Sequence, residues 1–588
     1  MGVMIQYGGS NKHIPMNEDE ALGKGWFSAV AQLNQDESKE LLYQYALPSG
    51  NLLPDILSRY QPHGVHGPSQ FVDPRQFSWN DSDWRGVPKS DLILYEMHVG
   101  SFTFEGTYKA AAERLTELAQ LGVNAIELMP LAQAAGKWNW GYDGVQFFSP
   151  SASYGSPDEL RLFIDRAHSL GMAVIVDVVY NHFGPEGNYF REFGPYVSHR
   201  HSTAWGDSPN FDEENCRFVR EYFLANAIYW LDEYHFDGLR VDAIHCIQDE
   251  SPAHFATELG VWFAAYQDQA ERALHLIAES NVYDPQMLRK NSAGGHQFDA
   301  LWCDDFLHST FAVLSPGINM SQRDYHPCDL HTTLQRGFVY EGGIHDSRKR
   351  VPLSDESQRV DLESLVYAIQ NHDFIGNHPL GKRLHQITCL DTQRSAATLL
   401  ILYPAIPMLF MGEEFASENP FSFFVDYTDL YLRTAVEEGR KREYPQHDWT
   451  AVRSPCSFEA FAASKVGSRE LGDQRIWTWY QKLLLLRKAA KTLGLLRSET
   501  LEANWNNHQS FASLCYRSGS DYLNVSVRLH APGRILDSIQ IPVPGNVLLS
   551  HNTSCDPNGN SVYELKEHGV IVESNLAILM AEPTQSAV

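Results

Sequence analysis

Phe236-Asp-Gly-Leu-Arg-Val-Asp-Ala-Ile-His245 is the stretch on which the reading of this 588-residue chain turns. As a β-strand it places Gly238, Arg240 and Asp242 on one face and Leu239 and Val241 on the other. Strands buried on both faces usually read as continuous apolar runs. Here a guanidinium and a carboxylate interrupt such a run. An unpaired charge in that position costs on the order of several kcal/mol, so each needs a partner or a chemical task. A buried ion pair that only fixes the strand is one answer, and a reacting site is the other.

Outward from that stretch, short apolar runs alternate with amphipathic segments. The strand candidates are 92–98, 123–129, 172–180, 236–244, 274–280, 300–305, 365–373 and 406–414. Helical patterns lie between them at Tyr108–Leu121, Pro157–Leu170, Arg217–Tyr234 and Thr392–Tyr403, and Gln474–Lys491 follows the last strand. Eight strands alternating with helices predict an α/β fold, a (β/α)₈ TIM barrel with long loops. An open doubly wound sheet is disfavoured, because no GxGxxG follows the first strand. Residues 1–24 are polar, Gly25 to Pro74 reads as a β-module with too few strands to close a sandwich, and Asn80 to Ser90 reads as a linker. Beyond Leu496 the alternation becomes two-residue (511–517, 521–530, 538–543, 569–574), which predicts a C-terminal β-sandwich. The expected division is 1–90, a truncated N-terminal β-module and linker; 91–495, the barrel; and 496–588, the sandwich.

With 73 acidic against 46 basic residues, the net charge is −27. Such a chain repels a phosphate backbone, which argues against nucleic acid as a partner. No run approaches the length of a membrane span, and the first residues show no basic region followed by an apolar core. The eight cysteines are scattered without CxxC pairs, a usage that suits reduced thiols in a cytoplasm better than disulfides or zinc. No cofactor is implied, and nothing has the form of a dedicated calcium loop.

In a barrel, reacting groups sit where strands end. The third strand ends with Asp177, Asn181 and His182, the fourth with Arg240, Asp242 and His245, the fifth with Glu279, and the seventh with Asn371, His372 and Asp373. Four strand ends, each with a carboxylate, exceed what packing requires. Carboxylates without a Ser–His pair or a nucleotide loop point to glycosidic bonds, which need one acid for the leaving oxygen and one carboxylate at the anomeric carbon. Metal ligation by Asp177, His182 and Asp373 is the competing use, without an HExxH or comparable spacing to support it.

These residues stand as DVVYNH (177–182), GLRVDAIH (238–245), AES (278–280) and NHD (371–373), and in that order they resemble the four short motifs of the α-amylase family of glycoside hydrolases. The resemblance implies Asp242 as nucleophile, Glu279 as general acid/base and Asp373 as the group that grips sugar hydroxyls. It implies Arg240 holding Asp242, His182 and His372 bonding the sugar, and Tyr142 stacking beneath it. His245, Asp305 and Trp140 complete the substrate-binding set, and Trp138 is expected to share the stacking role. Longer stretches, among them 53–74, 92–108, 181–196, 302–309, 371–384 and 409–429, look like the branch that acts on maltooligosyltrehalose. That branch hydrolyses the α-1,4 bond next to the terminal trehalose, on substrate supplied by a maltooligosyltrehalose synthase. Two positions depart from the branch: Leu307 stands where a second His is usual, and Phe374 where Gln is common. A glucan-branching transferase, a general amylase and a non-catalytic glucan-binding protein are the alternatives. Glu413 and Glu414 either line the cleft or pair with an Arg, Asp143 reads as structural, and Glu341 and Arg348–Arg350 as solvated.

Overall fold

The computed structural model describes residues 1–21, 23, 25–32, 41–280, 283–317, 320, 324–343, 346–353, 360–534, 536–555 and 562–575. All eight expected barrel strands form: β1 (Leu94–Met97), β2 (Ala125–Leu128), β3 (Ala173–Val178), β4 (Gly238–Val241), β5 (His275–Glu279), β6 (Ala300–Trp302), β7 (Leu365–Tyr367) and β8 (Ile406–Phe410). They pair in parallel in chain order, and β8 closes onto β1 with Leu409 opposite Tyr95. Closure leaves no free edge, so a short strand such as the three-residue β6 is paired on both sides.

Local chemistry sets the helix limits. Thr107 caps Tyr108–Leu121 by accepting from Ala110 N, and Gly122 ends it in the left-handed conformation at φ 112°. Pro157–Ser169 starts on a reciprocal Ser156–Glu159 capping box with Pro157 in its first turn. The expected helix 217–234 forms as Cys216–Ile228 followed by a π turn, Tyr229–Glu233. The last helix, Gln474–Thr492, lies against Leu390–Ile401, the helix that leads into β8. Its buried Arg487 donates to the carbonyls of Ile401, Tyr403 and Ala405, each at 2.7 Å. One guanidinium thus satisfies the last carbonyl of that helix, at Ile401, together with two carbonyls of the segment that follows it.

The organising stretch works at both of its ends. Asp237, fully buried under β4, accepts from Trp84 Nε1 at 2.7 Å and Val174 N at 2.9 Å, and pairs with His168 at 3.0 Å. Residues 80–90, expected as a linker, are therefore docked under the barrel. Lys89 adds bonds to Asp299 O and Ser364 Oγ. The polar start of the chain also holds strands: Gly2–Tyr7 and Ser10–Pro15 form a hairpin with Tyr7 opposite Ser10. Gly8 and Gly9 both have positive φ, 54° and 77°, the backbone that a two-residue hairpin turn requires. With Leu42–Ala46, Leu52–Leu53 and Ser69–Gln70 they make one five-stranded sheet. At the other end of the chain, six antiparallel strands between Leu501 and Ser574 form one sheet, in which the long strand Val562–Ser574 pairs with three of the others. This sheet lays Leu514, Tyr516, Val525 and Val572 onto the barrel core, and Tyr516 donates to Leu402 O at 2.6 Å. Among the described residues no helix is long and apolar enough to cross a membrane.

Candidate active site

The parallel register that joins β3 to β4 sets Arg240 directly opposite Asp177. Only 2% exposed, Arg240 donates through Nη1 to Asp177 Oδ2 at 2.7 Å and to Asp242 Oδ1 at 2.8 Å. Its Nη2 lies 3.4 Å from Glu279 Oε2, and its plane rests 4.3 Å from the centre of the Trp302 ring. One cation gathers three carboxylates from three consecutive strands. The ion pair and the polar strand ends foreseen as separate features form one cluster.

Asp242 is held on its other oxygen as well. Asn181 Nδ2 donates at 2.9 Å to both its Oδ2 and its carbonyl. Two donors on two oxygens aim this carboxylate as an acceptor-only group. Glu279 sits in a different environment. Burial pushes its carboxyl up to about 7, Arg240 opposes that rise, and Asp242 and Asp304 add to it. Two carboxyl groups so close, one fixed by donors and the other protonated near neutrality, are the pairing that divides nucleophilic from acid work.

A second chain of bonds enters from β1 and β7. His372, buried in the first turn after β7, donates its backbone N–H to Glu96 Oε2 at 3.0 Å and pairs through Nδ1 with Glu96 Oε1. Burial works against charge on this ring, but Glu96 outweighs it and raises the imidazole to about 9. His372 Nε2 lies 3.0 Å from the Tyr142 hydroxyl, which donates to Asp177 Oδ2 at 2.8 Å, and the two rings stack at 5.2 Å. Burial pushes Asp177 up to about 6 despite Arg240. Asp373, next to His372, is exposed and accepts from Asn377 Nδ2 at 2.8 Å. His182 is 4% exposed, pairs through Nδ1 with Asn181 Oδ1, and is shifted down by burial. His245 is half-buried in the short turn Ile244–Cys246 beyond β4.

Several expected binding residues sit elsewhere. Trp140 is 3% exposed, donates to Ser422 O at 3.1 Å and stacks on Phe421 at 5.2 Å. A Cβ on Gly376 would fall 2.0 Å from its ring, so the tryptophan fills a closed core slot and offers no face to sugar. Trp140→Ala is therefore expected to destabilise the fold by about 3–5 kcal/mol, read as a lower denaturant midpoint. Trp138 stacks on Phe461 and meets the edge of Phe458, wedging a loop. Asp305 is 1% exposed, with Tyr325 OH on one oxygen and Val339 N at 2.7 Å on the other, so it braces the loops beyond β6. Its neighbour Asp304 faces the cluster instead, accepting from Trp302 Nε1 at 2.9 Å and Asn371 Nδ2 at 3.0 Å.

Leu307 and Phe374 are both buried, and Phe374 packs 5.0 Å from Phe311. Beside them a groove of about 260 Å³ is lined by His308, Asp324 and Tyr325, among others. Glu413 and Glu414 are buried and, among the described residues, form no ion pair: Tyr480 and Tyr95 donate to them, and burial pushes them to about 8 and about 7. Asp143 accepts from Asn139, in keeping with a structural role. The side chains of Arg348–Arg350 lie outside the described residues. Among the described residues, Asp177, His182 and Asp373 do not come together at the spacing of a cation site. Among the described residues, His201, Asp212 and Glu250 are spaced to hold a cation, but Arg200 already supplies positive charge to both acids. Glu96 and Glu127, side by side on β1 and β2, were not singled out by the sequence reading. The signal was present, since each puts a charge inside a short apolar run.

A closed eight-stranded barrel with acidic groups gathered on one arginine at the strand ends defines a glycoside-cleaving barrel enzyme. The sequence profile of the alpha-amylase catalytic domain matches residues 71–209. The malto-oligosyltrehalose trehalohydrolase of Saccharolobus solfataricus is 40% identical over 447 residues, covering 76% of this chain and 77% of that protein. That of Deinococcus radiodurans is 40% identical over 76% of this chain and 74% of its own length. A crystal structure from Salmonella typhimurium, described provisionally as an alpha amylase, superposes with a TM-score of 0.83 at 33% identity, covering 97% of this chain and 95% of that one. The chain belongs to the malto-oligosyltrehalose trehalohydrolases of the alpha-amylase family.

Proposed function

We propose that this chain is a retaining glycosidase that hydrolyses the α-1,4 bond next to the terminal trehalose of maltooligosyltrehalose, releasing trehalose and a maltooligosaccharide. The observation that carries the reading is the Arg240 fork, which holds Asp242 and Glu279 on one guanidinium while Glu279 titrates near 7. Asp242 attacks the anomeric carbon, and the bond to the trehalose oxygen breaks as Glu279 gives that oxygen its proton. Trehalose leaves, and the maltooligosyl group stays on Asp242 as an ester. Glu279, now a carboxylate, takes a proton from water, whose oxygen displaces Asp242. Asp373, exposed beside the cluster, binds sugar hydroxyls with His182 and His372, and Tyr142 forms the floor of the subsite.

The substrate follows from the relatives. Trehalohydrolases match at up to 40% identity over three quarters of the chain, whereas a 1,4-alpha-glucan branching enzyme of Thermobifida fusca is 25% identical over 62% of it. Residues 91–495 carry the chemistry on this reading, with 1–90 and 496–588 as flanking β-modules, and a maltooligosyltrehalose synthase makes the substrate. Incubation with maltooligosyltrehalose and with a maltooligosaccharide of equal length tests the proposal. Trehalose from the first, with the second nearly intact, is the expected result. Equal cleavage of both, or branched products, would transfer the chain to general amylase or branching activity.

A further inference from the structure

We propose that Glu96, on β1 and outside the groups that meet substrate, is a positioning residue: it keeps the His372 imidazole charged and so fixes the direction of the Tyr142 hydroxyl. The inference rests on the hydrolytic reading of this site and adds a residue to it. Counting donors leads there. An ionised carboxylate only accepts. Glu96 is 1% exposed, takes the His372 backbone N–H on Oε2 and faces Nδ1 with Oε1, so Nδ1 carries a proton. Tyr142 has one hydroxyl proton, and Asp177 Oδ2 takes it at 2.8 Å. That oxygen also accepts from Arg240 Nη1 at 2.7 Å, so it has no proton to return. His372 Nε2, 3.0 Å from the hydroxyl, is left to donate as well. Both ring nitrogens are donors, which makes the ring an imidazolium.

The groups around the ring come from several elements. Glu96 on β1 and the adjacent Asp373 favour the charge and Arg240 on β4 opposes it, while burial holds Glu127 on β2 and His98 beyond β1 toward their neutral forms. Tyr142 stacks on it, and Trp140 and Trp302 present ring edges. The balance that places the imidazole at about 9 depends on Glu96. Without that carboxylate, a neutral ring bonded through Nδ1–H would show Tyr142 a lone pair. The hydroxyl would then turn from Asp177 to His372, and Asp177 would lose one of its two donors. Asp177 shares Arg240 with Asp242 and Glu279, so the change reaches the reacting carboxylates.

Two readouts test this. In proton NMR of the full chain, the Nδ1–H held between imidazolium and carboxylate should give a resolved far-downfield resonance that persists to about pH 9. In Glu96→Gln, which keeps an acceptor but no charge, it should be absent at pH 7.5. The second readout is the pH profile of kcat/KM on maltooligosyltrehalose. The native enzyme should lose activity above the Glu279 value near 7 with the slope of one ionisation. In Glu96→Gln the limb should begin below the ordinary histidine value of about 6.5 and steepen to about a hundredfold per pH unit, the slope of two ionisations. Glu96→Asp, which keeps the charge, should restore the single slope. A native spectrum without the resonance, or a Glu96→Gln profile lowered equally at every pH, overturns the proposal. Absence of native turnover with the resonance intact would instead count against the hydrolytic reading, and the native spectrum serves as a test even if Glu96→Gln does not fold.

Discussion

Asp242→Asn should lower turnover by about 10⁴-fold or more while leaving glucan binding within a few-fold of native, the pattern expected when an attacking group is removed from an intact site. The substitution is nearly isosteric. Asn offers one oxygen in place of two, so either the Arg240 bond or the Asn181 bond can be kept, and the fork still holds Asp177 and Glu279. What is lost is the anion that attacks. Binding of a maltooligosaccharide measured by calorimetry beside the rate on maltooligosyltrehalose separates the two quantities. Substantial residual turnover would remove Asp242 from the nucleophile's position. A parallel loss of binding would show that the variant had disturbed the Arg240 cluster instead.

The second large effect is expected at Glu279. Glu279→Gln cannot give up a proton, so cleavage of maltooligosyltrehalose, whose leaving oxygen is a poorly stabilised alkoxide, should fall by about 10²–10⁴-fold. Substrates whose leaving group is already stable as an anion, such as 4-nitrophenyl maltosides, should lose far less in the first step, and a burst of nitrophenol should precede slow release of the glycosyl group. Equal loss on both substrates would argue against the acid role. The native profile has a matching sign. Glu279 is raised above the ordinary carboxyl range to about 7, so the working acid is present below that pH and is lost as pH rises through it.

The barrel was legible in the sequence because its strands are short apolar runs separated by helices with clear caps, Thr107, Ser156 and Asp473 among them. The central cluster was legible for a related reason. Arg240 and Asp242 stand where charge is costly, so their presence in the run already asks for partners. Other residues were not legible, because one residue's direction decided the outcome. Asp304 and Asp305 are adjacent at the start of a helix, yet one faces Glu279 and the other braces Tyr325 and Val339. Trp140 follows β2 as a sugar-stacking tryptophan would, and only the positions of Phe421 and Gly376 show that its faces are covered. Glu96 was passed over because a single Glu in LILYEMH reads as a break in the run, and its partner His372 lies far along the chain. At the N-terminus the Tyr7-Gly-Gly-Ser10 turn was itself the hairpin signal, hidden by the polarity of its second strand.

Arg487 sets a timetable for synthesis. β8 is complete at Phe410, but the guanidinium that satisfies the carbonyls leading into it is added only after the chain has reached the last barrel helix. At about 5–20 residues per second, the ribosome takes on the order of 10 s to cover that distance. Through that interval the nascent barrel carries its final strand with the carbonyls of Ile401, Tyr403 and Ala405 still uncapped. The sheet from Leu501 to Ser574 that packs over Leu402 is made later still. A chain stopped shortly after β8 therefore contains every group of the reacting cluster and both strands that close the ring, but not the guanidinium that holds the segment leading into β8.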